Sequence, residues 1–500
     1  MSTTSPDLAG RRNFLGFTHG YWMLNTIEMF ERLAYYLVRS VVAVYIMQAD
    51  DPHGLHFTAA DKGMIYSLWF IFQSLLPTFT GGYADRYGYK KTLAVAITLN
   101  VLGYVLMGTQ TSLAGFTAGV IVLASGTALF KPSLQGSLAQ NVTAKNSSLG
   151  WGIFYWVVNV GAAIGPMLAN FLRHDFGWTA VFLTSAAVMS LNYLMLFTFR
   201  DFDSGADKTE SPGAVFVRTM KNLADPRLIT WLLIMSCFWL MMYTLWDLQP
   251  NFLTDWNDSG DVAAFIRSSV LPDSWTIETD RGWQVPQEIL LNVNALLIVA
   301  LMIPISWAVR KLRTLESMVL GMTMATAGVL VAGLTTAGGM FVLGVIGFSL
   351  GEMLTGPKKN EYLGLIAPPG KKGLYLGYVN IPVGLGGWIG SLLQGHVYGN
   401  YGEKAVLAQK YLAEHHAAAG GAWDGAVASL DAFTGVTRTE AFAQLQAVTG
   451  LDATRATALL WDTYHPQYAV WLPFAAIGVV AIVALVVFAR MARRWNDMNV

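Results

Sequence analysis

The sequence predicts an all-α integral membrane protein, with twelve transmembrane helices in two six-helix bundles and both termini in the cytoplasm. Three observations carry that prediction. The 500 residues are 54% hydrophobic and 13% charged, whereas soluble domains carry roughly 25% charged residues. Apolar stretches of the length a bilayer crossing needs, about 20 residues, recur along the chain. The loops between them alternate between basic and nearly uncharged, the asymmetry that sets orientation in a membrane.

Twelve stretches meet the length requirement, at roughly 20–48, 58–83, 91–109, 112–136, 148–172, 177–199, 228–254, 287–309, 315–335, 338–366, 373–399 and 468–490. The basic loops carry Arg86, Lys90 and Lys91, then Lys208, Arg218, Lys221 and Arg227, then Arg310, Lys311 and Arg313, then Lys371 and Lys372, and finally Arg490, Arg493 and Arg494. These mark the cytoplasmic side. Abundant Trp and Phe, 17 and 26 residues, suit the membrane–water interfaces. Residues 1–199 are expected to form the N-terminal bundle and 200–227 a polar cytoplasmic linker. Residues 228–500 would form the C-terminal bundle, with periplasmic insertions near 255–287 and 401–466. The second insertion contains a helix-like run, TRTEAFAQLQAV, and both are expected to be short surface caps. The location implied is a bacterial-type inner (plasma) membrane, crossed many times. The early RRNFLG has the look of a twin-arginine signal. No apolar region with a small-residue cleavage site follows it, so it reads as two basic residues holding the N-terminus in the cytoplasm.

Several function classes drop out. A formal net charge of zero argues against a nucleic-acid partner. The one cysteine, Cys237, excludes an intramolecular disulfide and a cysteine-based metal cluster. No HExxH zinc site, GxSxG elbow or Walker loop is present, so neither catalytic nor metal-ligating residues are assigned and no enzyme is expected. His415 and His416 lie in an outer loop without a ligand partner.

The charges inside the spans are the informative residues. A charge at mid-membrane costs about 2.5–3.5 kcal/mol on insertion scales, and such residues usually face a cavity or pathway. In the first span Glu28, Glu31, Arg32, Tyr35 and Arg39 fall on one helical face, and Glu28 and Arg32 can pair at i, i+4. A buried salt bridge that only locks packing would need fewer charges. Lys131 lies in the fourth span, either in a cavity or snorkelling to the surface. Asn159 sits mid-helix in the fifth, as a site residue or as interhelical glue. In the second half Asp247 is placed at the outer interface or in a cavity, Asn292 and Asn294 occur in ILLNVNALLIV, and Glu352 lies deeper in SLGEMLTGP.

The first half thus offers Arg32, Arg39 and Lys131 against Glu28 and Glu31, and the second offers Glu352, joined by Asp247 if that residue lies in a cavity, with no intramembrane base. A cavity between the halves would be positive on one wall and negative on the other, which suits a zwitterion such as a short peptide. Its carboxylate would face Arg39 and Lys131, and its ammonium Glu352. Protonating a glutamate beside Arg32 would free a basic partner, a physical route from a proton gradient to substrate binding.

Between the second and third spans, GGYADRYGYKKTL places Gly82, Asp85, Arg86 and Gly88 where they can bridge helix ends at a cytoplasmic gate. This resembles the loop motif of the major facilitator superfamily, glycine-x-x-aspartate-arginine-x-glycine followed by basic residues. The first-span stretch EMFERLAYY narrows the match. It resembles the glutamate-x-x-glutamate-arginine-x-x-tyrosine-tyrosine signature of the proton-dependent oligopeptide transporter family. The likeness continues through Arg39, FKPSLQG, FYWVVNVGAAIGP, NALLIVALMIP and GEMLTGP.

The resemblance implies a proton-coupled symporter importing di- and tripeptides by alternating access, a monomer with no cofactor beyond the proton gradient. Glu28, Glu31, Arg32 and Lys131 would serve proton coupling. Tyr35, Tyr36, Arg39, Lys131, Asn159, Asn294 and Glu352 would bind substrate. The pattern also departs from the family. Thr244 stands where glutamine is common, Ala295 follows Asn294 in place of proline, PKKN occupies 357–360, and Gly377 stands where tryptophan is expected. The linker is too short for the extra helical pair of many bacterial members. The alternatives are a superfamily transporter or exporter for another small zwitterionic or anionic solute, and a non-transporting sensor on the same fold.

Overall fold

Thr18 opens the first long helix by accepting the Tyr21 amide on its hydroxyl, and α1 runs His19–Arg39. In this computed structural model the described residues are 14–77, 86–143, 146–201, 223, 225–309, 312–367, 375, 377–416 and 423–494. The helices that follow are α2 (Ala59–Phe70), α3 (Tyr89–Thr109), α4 (Leu113–Gln140), α5 (Ser147–Phe176) and α6 (Trp178–Ser190). The second half contributes α7 (Pro226–Met242), α8 (Gln287–Ala308), α9 (Thr314–Gly333), α10 (Gly338–Ile366), α11 (Asn380–Tyr401) and α12 (Pro466–Arg494). Among the described residues, nine helices are long and apolar enough to cross a membrane. The helices α1, α2 and α11 fall outside that set for visible reasons. α1 carries four Asp, Glu, Lys or Arg side chains, α2 gives way to a π-helical turn at Ile71–Leu75, and α11 is rich in glycine.

Three expected spans are broken. The first ends at Arg39 and continues after Ser40–Val41 as a short helix, Val42–Met47. The sixth resumes as Asn192–Leu196, and the seventh proceeds in three pieces through Thr244–Asp247 and Gln249–Trp256. The last breaks turn Asp247, Asn251 and Asp255 toward the first half, where they bond to Arg39, Ala43 and Gln48 respectively. Gly82 and Asp85 of the loop motif lie outside the described residues. Gly88 is described, at φ 97°, a conformation that suits glycine, as the N-cap of α3. Beside it Lys90 donates its amide to Asp201 at 3.1 Å and its ammonium to the Phe199 carbonyl at 2.8 Å.

The two halves meet through α2 against α11 and α5 against α8. Where α2 crosses α11 the backbones nearly touch: a Cβ on Gly63 would come within 2.6 Å of the Ser391 carbonyl oxygen. The seam on the face bearing the insertions, outer by the charge rule, is closed by polar contacts. The Gln287 amide donates to Ser40 O at 2.9 Å, Asn251 to Ala43 O at 3.1 Å and Asn292 to Ala163 O at 2.9 Å. Lys62, fully buried, donates to Asp247 O and to Asn251 Oδ1, both at 2.7 Å. Arg39 forms a buried ion pair with Asp247 across the seam.

The second insertion does more than cap the surface. It folds into helices Lys404–His415, Leu430–Thr434, Ala441–Thr449 and Ala453–Tyr464, of which Ala441–Thr449 matches the expected helical run. Arg438, between the second and third of these, pairs with Glu403. Its guanidinium also donates to His56 O at 2.5 Å, Phe57 O at 3.0 Å and Met47 O at 3.3 Å, all in the first half. The first insertion supplies the helix Gly260–Ser268 and a hairpin pairing Ile277–Thr279 with Gly282–Gln284.

Two outcomes follow from this seam. Removing one member of the buried Arg39–Asp247 pair strands the other charge, so Asp247→Ala should destabilise the protein by about 3–5 kcal/mol. Arg39→Leu combined with Asp247→Leu should recover most of that loss in a detergent melting curve. Burial raises the Glu403 carboxyl from 4.5 to about 7, outweighing the pull of Arg438. Its contribution to stability is therefore full below about 4.5 and lost as pH rises through about 7. The melting temperature of the parent should fall across that window relative to Glu403→Gln.

Candidate transport site

The charged face of α1 is not a row of separate ions. Arg32 turns back on its sequence neighbour and donates twice to Glu31, Nε to Oε2 and Nη2 to Oε1, each at 2.5 Å. The expected i, i+4 contact with Glu28 exists but is looser, at 3.7 Å. Glu28 instead receives Lys131 from α4 at 2.5 Å, and Lys131 also lies 3.8 Å from Glu31. Two carboxylates and two cations thus cancel within one cluster, which is how four charges can sit in a medium that penalises any one of them. Glu28 and Glu31 are buried, while the Lys131 side chain remains 29% exposed. Glu28 Oε2 is buried with no hydrogen-bond partner among the described residues.

An aromatic shelf holds this cluster. The Arg32 guanidinium lies 4.6 Å from the Tyr35 ring centroid and 5.8 Å from that of Tyr36. The π-helical turn after α2 sets Gln73 between Trp69 and Tyr35. It accepts from the Trp69 indole at 2.7 Å and donates to the Tyr35 hydroxyl at 3.3 Å. Such turns often mark functional positions.

A cavity of about 1150 Å³ lies between α5, α7, α8 and α10, and none of the four cluster residues is among those that line it. Its walls are largely aromatic and methionine side chains, including Tyr155, Trp156, Trp239 and Met302. Of the expected substrate residues, Asn159 and Glu352 line it. Asn159 donates to the Tyr155 carbonyl one turn back on its own helix, at 2.8 Å. Asn294 stands behind Glu352. Its amide donates to Glu352 Oε2 and to Ser349 Oγ, both at 3.0 Å, and orients the carboxylate. Tyr36 packs among Ala162, Ala163 and Ala295.

Two expectations need correction. Arg39 is not a cavity residue waiting for a carboxylate: it is spent on Asp247 in the outer seam, with its guanidinium 4.5 Å from the Tyr66 ring centroid. The second half is also not without an intramembrane base. Lys359, in α10, lines the same cavity as Glu352 and lies 4.2 Å from the Trp239 ring centroid. Lys62 and Lys359 are both visible in the sequence. Lys62 sits beside Asp61, close to the start of the expected span 58–83, and Lys359 lies within the expected span 338–366, in PKKN. Their helices place both inside. Among the described residues no group of three or more His, Cys, Asp or Glu could hold a metal ion.

The model of the Major Facilitator Superfamily matches residues 26–257. Among curated relatives, dipeptide and tripeptide permease B of Salmonella typhimurium is 24% identical over 253 residues, 48% of this chain and 47% of that protein. Multidrug resistance protein MdtH of Enterobacter sp. is 21% identical over 377 residues, 74% of this chain and 84% of its own. The uncharacterized transporter YclF of Bacillus subtilis is 25% identical over 208 residues, 40% of this chain and 42% of its own. The chain thus spans under half the length of permease B and of YclF. Solved structures match over nearly the whole chain. A POT family transporter in complex with 5-aminolevulinic acid gives a TM-score of 0.66 at 15% identity, covering 97% of this chain and 98% of that one. The nucleoside transporter NupG gives 0.67 at 12% identity, covering 94% and 99%. At these identities the structural matches establish the fold. The resemblance read from EMFERLAYY and the loop motif is borne out by these matches together. The chain is thus similar to major facilitator superfamily proteins over residues 26–257 and shares the fold of solved transporters of the POT family.

Proposed function

We propose that the protein is a proton-coupled symporter that carries di- and tripeptides inward by alternating access, its two halves rocking about the central cavity. The observation that carries this reading is the self-cancelling cluster of Glu28, Glu31, Arg32 and Lys131, in a protein whose large cavity carries a carboxylate, Glu352, in its wall. A proton arriving at Glu28 removes the partner of Lys131. The freed, partly exposed ammonium then gains a reason to take another anion, and substrate binding in turn favours the protonated glutamate. Such reciprocity is a coupling free energy between two ligands. Glu352, steadied by Asn294, suits the amino end of a zwitterion. The peptide names borne by relatives and solved structures support the same substrate class. The closed seam on the insertion-bearing face, with a cavity among α5, α7, α8 and α10, fits an inward-facing state of the cycle.

A second reading has its own support: the cavity wall is mostly apolar, and MdtH, which aligns with 74% of this chain, is named for multidrug resistance. An exporter of apolar cations or zwitterions would use the same cluster in the opposite direction.

The two readings part in proteoliposomes. Labelled dialanine should accumulate when the proton gradient points inward and not when it is reversed. Glu31→Gln and Lys131→Ala should abolish gradient-driven accumulation while leaving counterflow exchange. Failure of the parent protein both to take up dialanine and to be stabilised by it in a melting curve would sink the peptide reading.

A further inference from the structure

Lys359 is a cavity charge with no part in the cluster of four. It lies seven residues after Glu352 on α10, and seven residues bring a helix round to nearly the same face, about 10.5 Å further along its axis. Both side chains line the cavity, and their charges act on one another. Yet Lys359 makes no hydrogen bond, and no ion pair within 4 Å, with any described residue. Its neighbour Lys358 is spoken for, donating to Glu361 at 2.8 Å. What holds the Lys359 ammonium is the face of Trp239 on α7, 4.2 Å to the ring centroid. A cation–π contact orients an ammonium without using its N–H donors. All three therefore remain available to a ligand.

The other candidate anchors are occupied. Arg39 is paired with Asp247 on the sealed face, and Lys131 is held by Glu28. We infer that Lys359 is the first carboxylate site for a zwitterionic substrate, occupied while Glu28 still holds Lys131, with Glu352 taking the ammonium, so that the substrate lies along α10. This deepens the reading above and rests on it. The dimensions agree. An extended dipeptide spans about 6–7 Å between its charged ends, at roughly 3.3–3.6 Å per residue. A charge-assisted hydrogen bond of about 2.8 Å at each end brings the total to about 12 Å, comparable with the two helical turns between the side chains. The aromatic and methionine walls then face the substrate side chains.

The assignment predicts a preference for a free carboxyl terminus that resides in one lysine. Dialanine and alanyl-alaninamide, which has the ammonium but no carboxylate, would compete against labelled dialanine uptake in proteoliposomes, with stabilisation in melting curves as a second readout. In the parent protein the acid should bind more tightly than the amide. Lys359→Ala should weaken dialanine by roughly ten- to hundredfold and remove most of the preference. Lys359→Arg should restore it in part, and Lys358→Ala should leave it intact. If Lys359→Ala keeps the parent's preference, or weakens acid and amide equally, Lys359 has a structural or gating role and the inference is overturned while the peptide reading stands. If the parent binds neither compound, the peptide reading fails and takes this inference with it. Should Lys359→Ala prove unstable, Lys359→Gln decides by the same ratio.

Discussion

A charge removed from water inside a bilayer costs more than any single contact returns, so it has to be cancelled where it stands. That constraint organises this protein. Glu28, Glu31, Arg32 and Lys131 cancel as a set of four, and Arg39 cancels Asp247 across the two halves. Lys62 is satisfied by a main-chain carbonyl and an asparagine. Each solution ties together elements that are far apart in sequence. The first binds α1 to α4, while the second and third bind the first half to the broken end of the seventh span. Because the pairs sit at different depths, they do different work. The outer pairs hold a seam shut, and the inner four join α1 to α4 within the first half.

The outer seam shows how closure is distributed. Close backbone approach at Gly63 brings α2 onto α11, and side-chain amides from Asn251, Gln287 and Asn292 reach carbonyls of the other half. Arg438, delivered by the second insertion, adds three more carbonyls and Glu403. A rocking motion that opened this face would have to give up these contacts together. The insertion therefore acts on the closed arrangement, and the raised carboxyl of Glu403 gives that action a dependence on pH.

Much of this is legible in the amino-acid sequence, because charges within apolar runs are rare enough to be conspicuous. The spacing of Glu28, Glu31, Arg32 and Tyr35 reveals their common face, and Lys131 can be matched to them by charge balance. The choice of partner is not legible. Helical spacing favours Glu28 for Arg32, but the guanidinium fork fits the neighbouring Glu31 with two parallel bonds, and Glu28 is left to Lys131. Arg39 reads as a substrate anchor because the break after it, at Ser40–Val41, and the breaks around Asp247 have no strong sequence signal. Lys359 falls inside the expected span 338–366, which α10 matches; what the sequence does not show is that Lys359, of the two lysines in PKKN, lines the cavity while Lys358 bonds to Glu361. The π-helical turn that aims Gln73 at Tyr35 likewise leaves no mark in composition or periodicity.

Shared use of one charge cluster by a proton and a peptide is the central proposal. It is tested most directly by loading proteoliposomes with a pH-sensitive dye and adding dialanine outside, with no imposed gradient and the membrane potential clamped. Peptide entry should acidify the lumen in the parent protein. In Glu28→Gln, peptide should still equilibrate across the membrane without any change in lumenal pH. Acidification of the same size in that variant would contradict the shared cluster.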